Sequence, residues 1–211
     1  MAQIAKVTKF AILFLASLTY CCHALRATVF GASGGVGQLI CNKLLKTANI
    51  DSVAAISRNA DSLAAFELLD GCTFVQADAL KIETLRPALS GADYVIISVG
   101  TTAFPTKKWD NGNDPQTACV TTVKTILQSI AESGDIPKKI VLLSSIGVEK
   151  TDQMPFKLLN SFGVLDAKRQ SEDLLLRYVP IKLRCQRERK LRHTDENYVI
   201  NVLSNFGFIH H

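Results

Sequence analysis

From residue 26 to residue 177 the chain switches repeatedly between two apolar patterns. Arg26-Ala27-Thr28-Val29-Phe30, Val53 to Ile56, Thr73-Phe74-Val75, Tyr94 to Val99 and Ile140 to Leu143 are short β-branched or aromatic runs bounded by polar residues and glycine. They predict five strands. Between them apolar residues return at helical spacing. Val36, Leu39, Ile40 and Leu44 predict a helix to about Thr47, Leu63 to Leu69 a short one closed by Gly71, and Ile82 to Leu89 a third ending at Ser90-Gly91. Val120, Val123, Leu127 and Ile130 mark a fourth, and the last covers roughly Leu165 to Arg177. The run YVIISV is apolar on both alternations, as a strand is when helices cover both faces of its sheet.

Strand and helix alternating in this way require parallel pairing with right-handed crossovers. The expected fold class is therefore α/β: a Rossmann-like, doubly wound parallel sheet of strand order 3-2-1-4-5, with its cleft between strands one and four. Neither an internal repeat nor a low-complexity segment interrupts it.

Composition narrows the setting. The chain has 211 residues, 47% apolar and 20% charged, which suits one folded domain and excludes disordered or collagen-like classes. Residues 1–24 read as a leader: Lys6 and Lys9, then the apolar run FAILFLASLTYCC, then small residues placed for a cut after Ala24. That run is shorter than the ~20 residues of a membrane span, so no stable span is expected. The leader implies entry into the secretory pathway, or, in an alga with secondary plastids, the first half of a plastid address. No Asn-x-Ser/Thr site accompanies it. The net charge of +5 is concentrated in residues 179–211, where Lys182, Arg184, Arg187, Arg189, Lys190 and Arg192 lie close together. No aromatic residues interleave them, so a nucleic-acid partner is not expected. The six cysteines form no CxxC and no ligand spacing with histidine, which predicts buried reduced thiols and no metal site.

The segment VFGASGGVGQLICNKLL carries the chemistry. Gly31, Gly34 and Gly37 form GxxGxxG between the first strand and the first helix, where a tight turn, a close backbone approach to a pyrophosphate and close helix–strand packing are all needed. The helix start supplies free N–H groups and a positive dipole end for the phosphates, and Ser33 can add its hydroxyl. At the end of strand two an acid would bind the 2′-hydroxyl of NAD and an arginine the 2′-phosphate of NADP. The sequence has Ser57-Arg58 there, which favours NADP(H), with NAD(H) the less favoured cofactor.

GASGGVG, Ala77-Asp78-Ala79, YVIISVG and IVLLSSIGV together resemble the atypical short-chain dehydrogenases/reductases. Within these the chain is most similar to the NAD(P)H-binding-domain branch, NmrA-like and including plastid proteins. GTTAFPTKKWDNGNDPQ and FGVLDAKRQSEDLLLR carry the same likeness. The resemblance covers about Arg26 to Arg177, so residues 25–178 are expected to form the NAD(P)-binding domain. It implies that Gly31, Ser33, Gly34 and Gly37 cradle the pyrophosphate and that Arg58 holds the adenosine phosphate. Asp78 would face the adenine, Val99 and Gly100 would line the nicotinamide side, and Ser144 and Ser145 occupy the place of the family's active-site serine.

The family's Tyr-x-x-x-Lys pair is incomplete. Lys168 stands in the lysine position, but Val164 replaces the tyrosine that would move the proton. Lys168 and Ser145 are the remaining candidate catalytic residues. After Arg177 the resemblance stops where relatives continue into further strands and a substrate-binding half. A truncated, alternatively spliced or diverged C-terminus is expected, with strand five at the sheet edge unless Tyr198 to Leu203 pairs there. Three functions stay open: an NADP(H)-dependent oxidoreductase of an unknown small molecule, a non-catalytic NADP(H)-binding sensor or assembly factor, and a truncated product with little activity.

Overall fold

The computed structural model describes residues 24–59, 71–110, 112–178 and 198–202. The leader up to residue 23, the helix expected over Leu63 to Leu69, and the basic run from Lys182 to Arg192 lie outside the described residues.

In chain order the elements are β1 (Leu25–Phe30), α1 (Gly35–Leu45), β2 (Ile50–Ser57), β3 (Cys72–Gln76), α2 (Ile82–Leu89), β4 (Tyr94–Ile97), α3 (Thr122–Ser133), β5 (Lys139–Ser144), α4 (Phe156–Leu159), α5 (Val164–Arg177) and β6 (Tyr198–Val202). A turn of 3-10 helix at Lys107–Trp109 and a π-helical segment at Gln116–Thr121 precede α3. All strands pair in parallel, in the order β3-β2-β1-β4-β5-β6. The order predicted for the first five is the one observed. β6 then pairs with β5, from Ile140 opposite Tyr198 to Ser144 opposite Val202, and covers the edge that the sequence left conditional.

The alternation of side chains along β1 and β4 divides the core in two. On one face Phe30, Val95 and Ile97 join Leu85 of α2, Ile126, Leu127 and Ile130 of α3, and Leu175 of α5. On the other, Ala27, Val29 and Ile96 pack with Val53, Ala55 and Cys41 of α1. Each fully buried Leu, Ile or Phe contributes roughly 1.5–3 kcal/mol relative to exposure. The buried Thr28 hydroxyl is satisfied by donating to Ala88 O of α2 at 3.1 Å. Among the described residues, no helix is long and apolar enough to cross a membrane.

The chain winds outward from β1 to β3 and then returns to place β4 on the other side of β1. At that reversal the crossovers leave in opposite directions, and a crevice opens beyond the strands' C-terminal ends. The floor of the crevice depends on Gly37. A Cβ on it would stand 2.1 Å from Gly31 O and 2.8 Å from Ala32 Cα, so only glycine lets α1 lie against the end of β1. Gly35, one turn position away from the strand, has nothing within 4 Å of such an atom.

These two glycines give a paired prediction. Gly37→Ala lowers the unfolding free energy by about 3 kcal/mol, a fall in Tm of roughly 6–12 °C. Gly35→Ala changes it by less than about 1 kcal/mol, in the stabilising direction. Equal melting curves for the two variants would disprove the packing role given to Gly37.

Candidate functional site

The crevice encloses about 780 Å³ of empty space open to solvent. It is lined by Phe30, Gly31, Ser33 and Gly34 from the glycine loop, Ile56 to Arg58 from the end of β2, and Ala77 to Leu80 after β3. Ser98 to Gly100 after β4, with Gly112, Asn113, Ala118 and Thr122, close the other side. Of the residues the sequence singled out, the structure thus brings Gly31, Ser33, Gly34, Arg58, Asp78, Val99 and Gly100 into one cleft. Gly37 lies behind it, in the helix–strand contact.

Hydrogen bonds set the loop's path. Ala32 N–H donates to Ile56 O at 3.2 Å and Gly34 N–H to Gly31 O at 3.1 Å. Gly31 has φ +78°, and a Cβ there would meet Ser98 O at 2.8 Å, so the loop crosses directly over the start of the chain after β4. The loop delivers Gly34 in extended backbone as the N-cap of α1, with no side-chain cap and no acid in the first turn. A helix start has N–H groups without intrahelical partners and a partial positive charge. Among the described residues no side-chain cap or first-turn acid answers either, and Gly35 leaves the space beside it clear. That is the geometry a diphosphate fits. Ser57 Oγ donates to Ser33 Oγ at 3.2 Å, which holds that hydroxyl at the same spot.

At the part of the cleft that follows β3, Asp78 is engaged locally: its Oδ1 accepts Leu80 N–H at 3.0 Å, and its own N–H donates to Thr84 Oγ1 at 3.0 Å. Arg58 reaches across the mouth, and its Nη2 donates to Asn113 Oδ1. Asn113 is held within its own turn, its Nδ2 donating to Asp110 O at 3.1 Å and its N–H to Trp109 O at 3.2 Å. Asp114 Oδ1 accepts Thr117 N–H at 3.0 Å and so starts the π-helical segment; hydrogen bonds from Thr117 hold the Asp114 carboxyl below its ordinary value. In the loop after β4, Trp109 is tied by Nε1 to Thr102 O and Oγ1 at 3.2 and 3.1 Å and packs edge-on against Phe162. The residues of that loop that reach the cleft are Gly112 and Asn113, and the turn-forming sequence Asn111-Gly112-Asn113 was the only sign of them.

Lys168, on α5, lies behind Gly100 and is not among the residues that line the cleft. Its Nζ donates to Val99 O at 2.8 Å and to Leu143 O at 3.0 Å, which ties the ends of β4 and β5 together. Burial pushes its ammonium below the ordinary lysine value, while Cys119 and Glu172 act to raise it. Glu172, four residues on in α5, acts on Lys168 through its charge, and the hydrogen bonds of Lys168 go to main-chain carbonyls. Val164, in the tyrosine position, is 7% exposed and packs with Val148 and Leu165. Ser145 follows β5, half-buried and outside the cleft lining. The hydroxyls of Ser98, Thr101 and Ser144 and Glu172 Oε1 are buried without a hydrogen-bond partner, and of these Ser98 lines the cleft. An unpaired hydroxyl at Ser98 leaves the cleft wall a hydrogen-bonding group that water or a ligand can use.

Residues 31–178 match a family described as NAD(P)H-binding. This chain belongs to that NAD(P)H-binding family. The atypical short-chain dehydrogenase/reductase likeness of its motifs agrees with the match. Solved structures share the fold. An oxidoreductase from Lactococcus lactis has 21% identity and TM-score 0.55, over 72% of this chain and 63% of that one. UDP-glucuronic acid 4-epimerase from Bacillus cereus, in complex with UDP-glucuronic acid and NAD, has 20% identity and TM-score 0.55 over 73% and 52%. NADPH-dependent quinone oxidoreductase QOR2 from Escherichia coli, complexed with NADPH, has 21% identity and TM-score 0.50 over 73% and 45%. The chain spans less than two thirds of the length of each of these proteins.

The titrating groups of this NAD(P)H-binding domain give a signed prediction. Burial raises the thiols of Cys41 (to about 12), Cys72 and Cys119 and the Tyr178 hydroxyl above their ordinary values. Each is held protonated in the folded state, so its support is complete below the ordinary value and is lost as pH rises through the raised one. Lys168 is lowered, so its contribution has the opposite sign and grows as pH rises toward 10.5. Unfolding free energy measured by urea from about pH 8 to about pH 11 falls, and Lys168→Met makes the fall steeper. A shallower fall in the variant would contradict the desolvated placement of Lys168.

Proposed function

We propose that this domain binds NADPH in preference to NADH, with the pyrophosphate on the first turn of α1 and the adenosine 2′-phosphate at Arg58. Asp78 flanks the adenine, and Val99 and Gly100 line the nicotinamide end. One observation carries the preference: the Arg58 guanidinium is exposed at the cleft mouth and bonds to the neutral amide of Asn113, with no carboxylate partner among the described residues. A phosphate gains a charge-assisted, bidentate contact there that a ribose hydroxyl cannot make. The neighbours named with NADPH and with NAD support either dinucleotide in this fold, so the discrimination rests on this chain's own arginine.

Titration of the full chain with both dinucleotides, followed by intrinsic fluorescence and thermal shift, tests the reading. NADPH binds more tightly than NADH. Arg58→Glu weakens NADPH by about 10–100-fold, equivalent to roughly 1.4–2.7 kcal/mol, and leaves NADH within a few-fold. An unchanged ratio removes Arg58 from the site, and failure to bind either dinucleotide removes the cofactor assignment.

Lys168 supports a second reading, in which the domain reduces a small carbonyl or quinone. Bound NADPH supplies a hydride. Nothing at position 164 can hold the accompanying proton, since Val164 is buried among aliphatic side chains. Lys168 Nζ stands 3.3 Å from where a side chain on Gly100 would begin, at the nicotinamide end, with two of its three N–H groups occupied by carbonyls. Its third N–H is the donor available to substrate or ribose, and Ser145 follows on the neighbouring strand end. Turnover measured on a carbonyl and quinone panel falls at least about 100-fold in Lys168→Ala. Turnover that survives the change assigns Lys168 to holding the strand ends alone. A panel without turnover in the wild type, together with tight NADPH binding, identifies a binding protein.

A further inference from the structure

A second cavity lies beside the cofactor crevice. It encloses about 600 Å³ of space open to solvent and is lined by Gly100, Thr101, Thr102 and Asn113. Gly100 and Asn113 line both spaces, so Asn113 stands in the wall between them. Trp109 braces that wall. Its Nε1 donates to Thr102 O at 3.2 Å, and its main-chain oxygen accepts the Asn113 N–H at 3.2 Å. Trp109, the one tryptophan of the chain, thus bonds to two of the four residues that line the second cavity.

The Asn113 side chain is tied on two sides. Its Nδ2 donates to Asp110 O at 3.1 Å, within its own turn. Its Oδ1 accepts from Arg58 Nη2, which comes from 55 residues away in sequence and from across the crevice mouth. Arg58 itself belongs to the opposite side: it follows β2, and Gln76 Nε2 of β3 donates to its main-chain oxygen at 3.2 Å. A single hydrogen bond therefore runs from the β2–β3 side of the crevice to the wall of the second cavity.

We propose, on the reading that places the adenosine 2′-phosphate at Arg58, that this hydrogen bond couples the two spaces: a phosphate monoester that takes up Arg58 releases Asn113, and the second cavity changes shape in response.

Charge decides the exchange. A phosphate offers the guanidinium two parallel N–H···O bonds and a full negative charge, whereas Asn113 offers one neutral oxygen. Once Arg58 has turned to the phosphate, Asn113 Oδ1 lacks a donor and its amide turns to water or to the second cavity, where the Thr101 hydroxyl has no partner. The Asn113 N–H stays on Trp109 O, so the displacement passes to the corner formed by Trp109 and Thr102. A ribose 2′-hydroxyl carries no charge and leaves the Arg58–Asn113 bond in place. The coupling is reciprocal: a molecule in the second cavity that draws Asn113 away from Arg58 raises the affinity of the crevice for the 2′-phosphate by the same factor.

The test uses the full chain, with adenosine 2′,5′-bisphosphate and adenosine 5′-monophosphate as probes. Calorimetry reads affinity; tryptophan emission and its quenching by acrylamide read Trp109. The bisphosphate shifts the emission and raises the quenching, both saturating at the calorimetric Kd, and the monophosphate leaves them unchanged. Asn113→Ala binds the bisphosphate about 2–10-fold more tightly, because a competing hydrogen bond is gone. Without ligand, Asn113→Ala and Arg58→Met each give the Trp109 signal of the wild type saturated with bisphosphate, and the bisphosphate moves neither further. If one variant fails to fold, the other decides together with the wild type. A bisphosphate Kd that Arg58→Met does not alter removes the phosphate from Arg58, and the coupling with it; absence of binding does the same. Binding that depends on Arg58 while Trp109 stays silent leaves the phosphate placement standing and overturns the coupling. An equal Trp109 response to both probes, or one that survives Asn113→Ala, overturns it too.

Discussion

The closeness of α1 to the end of β1 is the constraint on which the site depends. Phosphate recognition by main-chain N–H groups requires the helix start to lie at the strand end, and side chains ordinarily hold the two apart. Gly37 removes the obstacle on the strand side, and Gly31 removes it where the loop passes the carbonyl of Ser98. The same approach sets the position of Ser33 against Ser57, and so of the hydroxyl pair beside the loop. A helix start with no cap and no acid is a local cost in an isolated domain. Here it is concentrated at one point of the cleft, where an anion relieves it.

A second arrangement holds the far end of the cleft. Lys168 reaches from α5 to carbonyls of two adjacent strands, and its loss of hydration is compensated by those bonds and by nearby Glu172. In the pattern that the motifs resemble, a tyrosine one turn earlier shares the work of the lysine. Here that position is aliphatic and buried, and Lys168 is committed first to the architecture. Structural tie and chemical donor are compatible roles for an ammonium with three N–H groups, because two carbonyls leave one free.

Much of this was legible in the residues alone. Alternating strand and helix patterns fixed a parallel sheet and its order, because few connections satisfy both handedness and burial. The glycine spacing and Arg58 pointed to the cleft and its lining, since both act through backbone placed by neighbouring sequence. What escaped the reading was non-local. Asn113 meets Arg58 and Lys168 meets Leu143 only after the chain has folded, and no periodicity encodes such pairings. The π-helical segment at Gln116–Thr121 likewise has no composition of its own; the apolar spacing marks a helix only from Val120 onward. β6 was visible only as an apolar run of uncertain use, because an edge strand is defined by the strand beside it.

The bridge between Arg58 and Asn113 has a consequence for how selectivity can change over time. In the proposed complex, a 2′-phosphate at Arg58 would compete only with an uncharged amide and so would keep most of the electrostatic gain. Were the loop to present a carboxylate in place of that amide, the guanidinium would already be neutralised, and the phosphorylated and unphosphorylated cofactors would become near equals. Under the proposed reading, a single change in a surface loop would thus move this domain between the two dinucleotides and leave the geometry of its strands untouched.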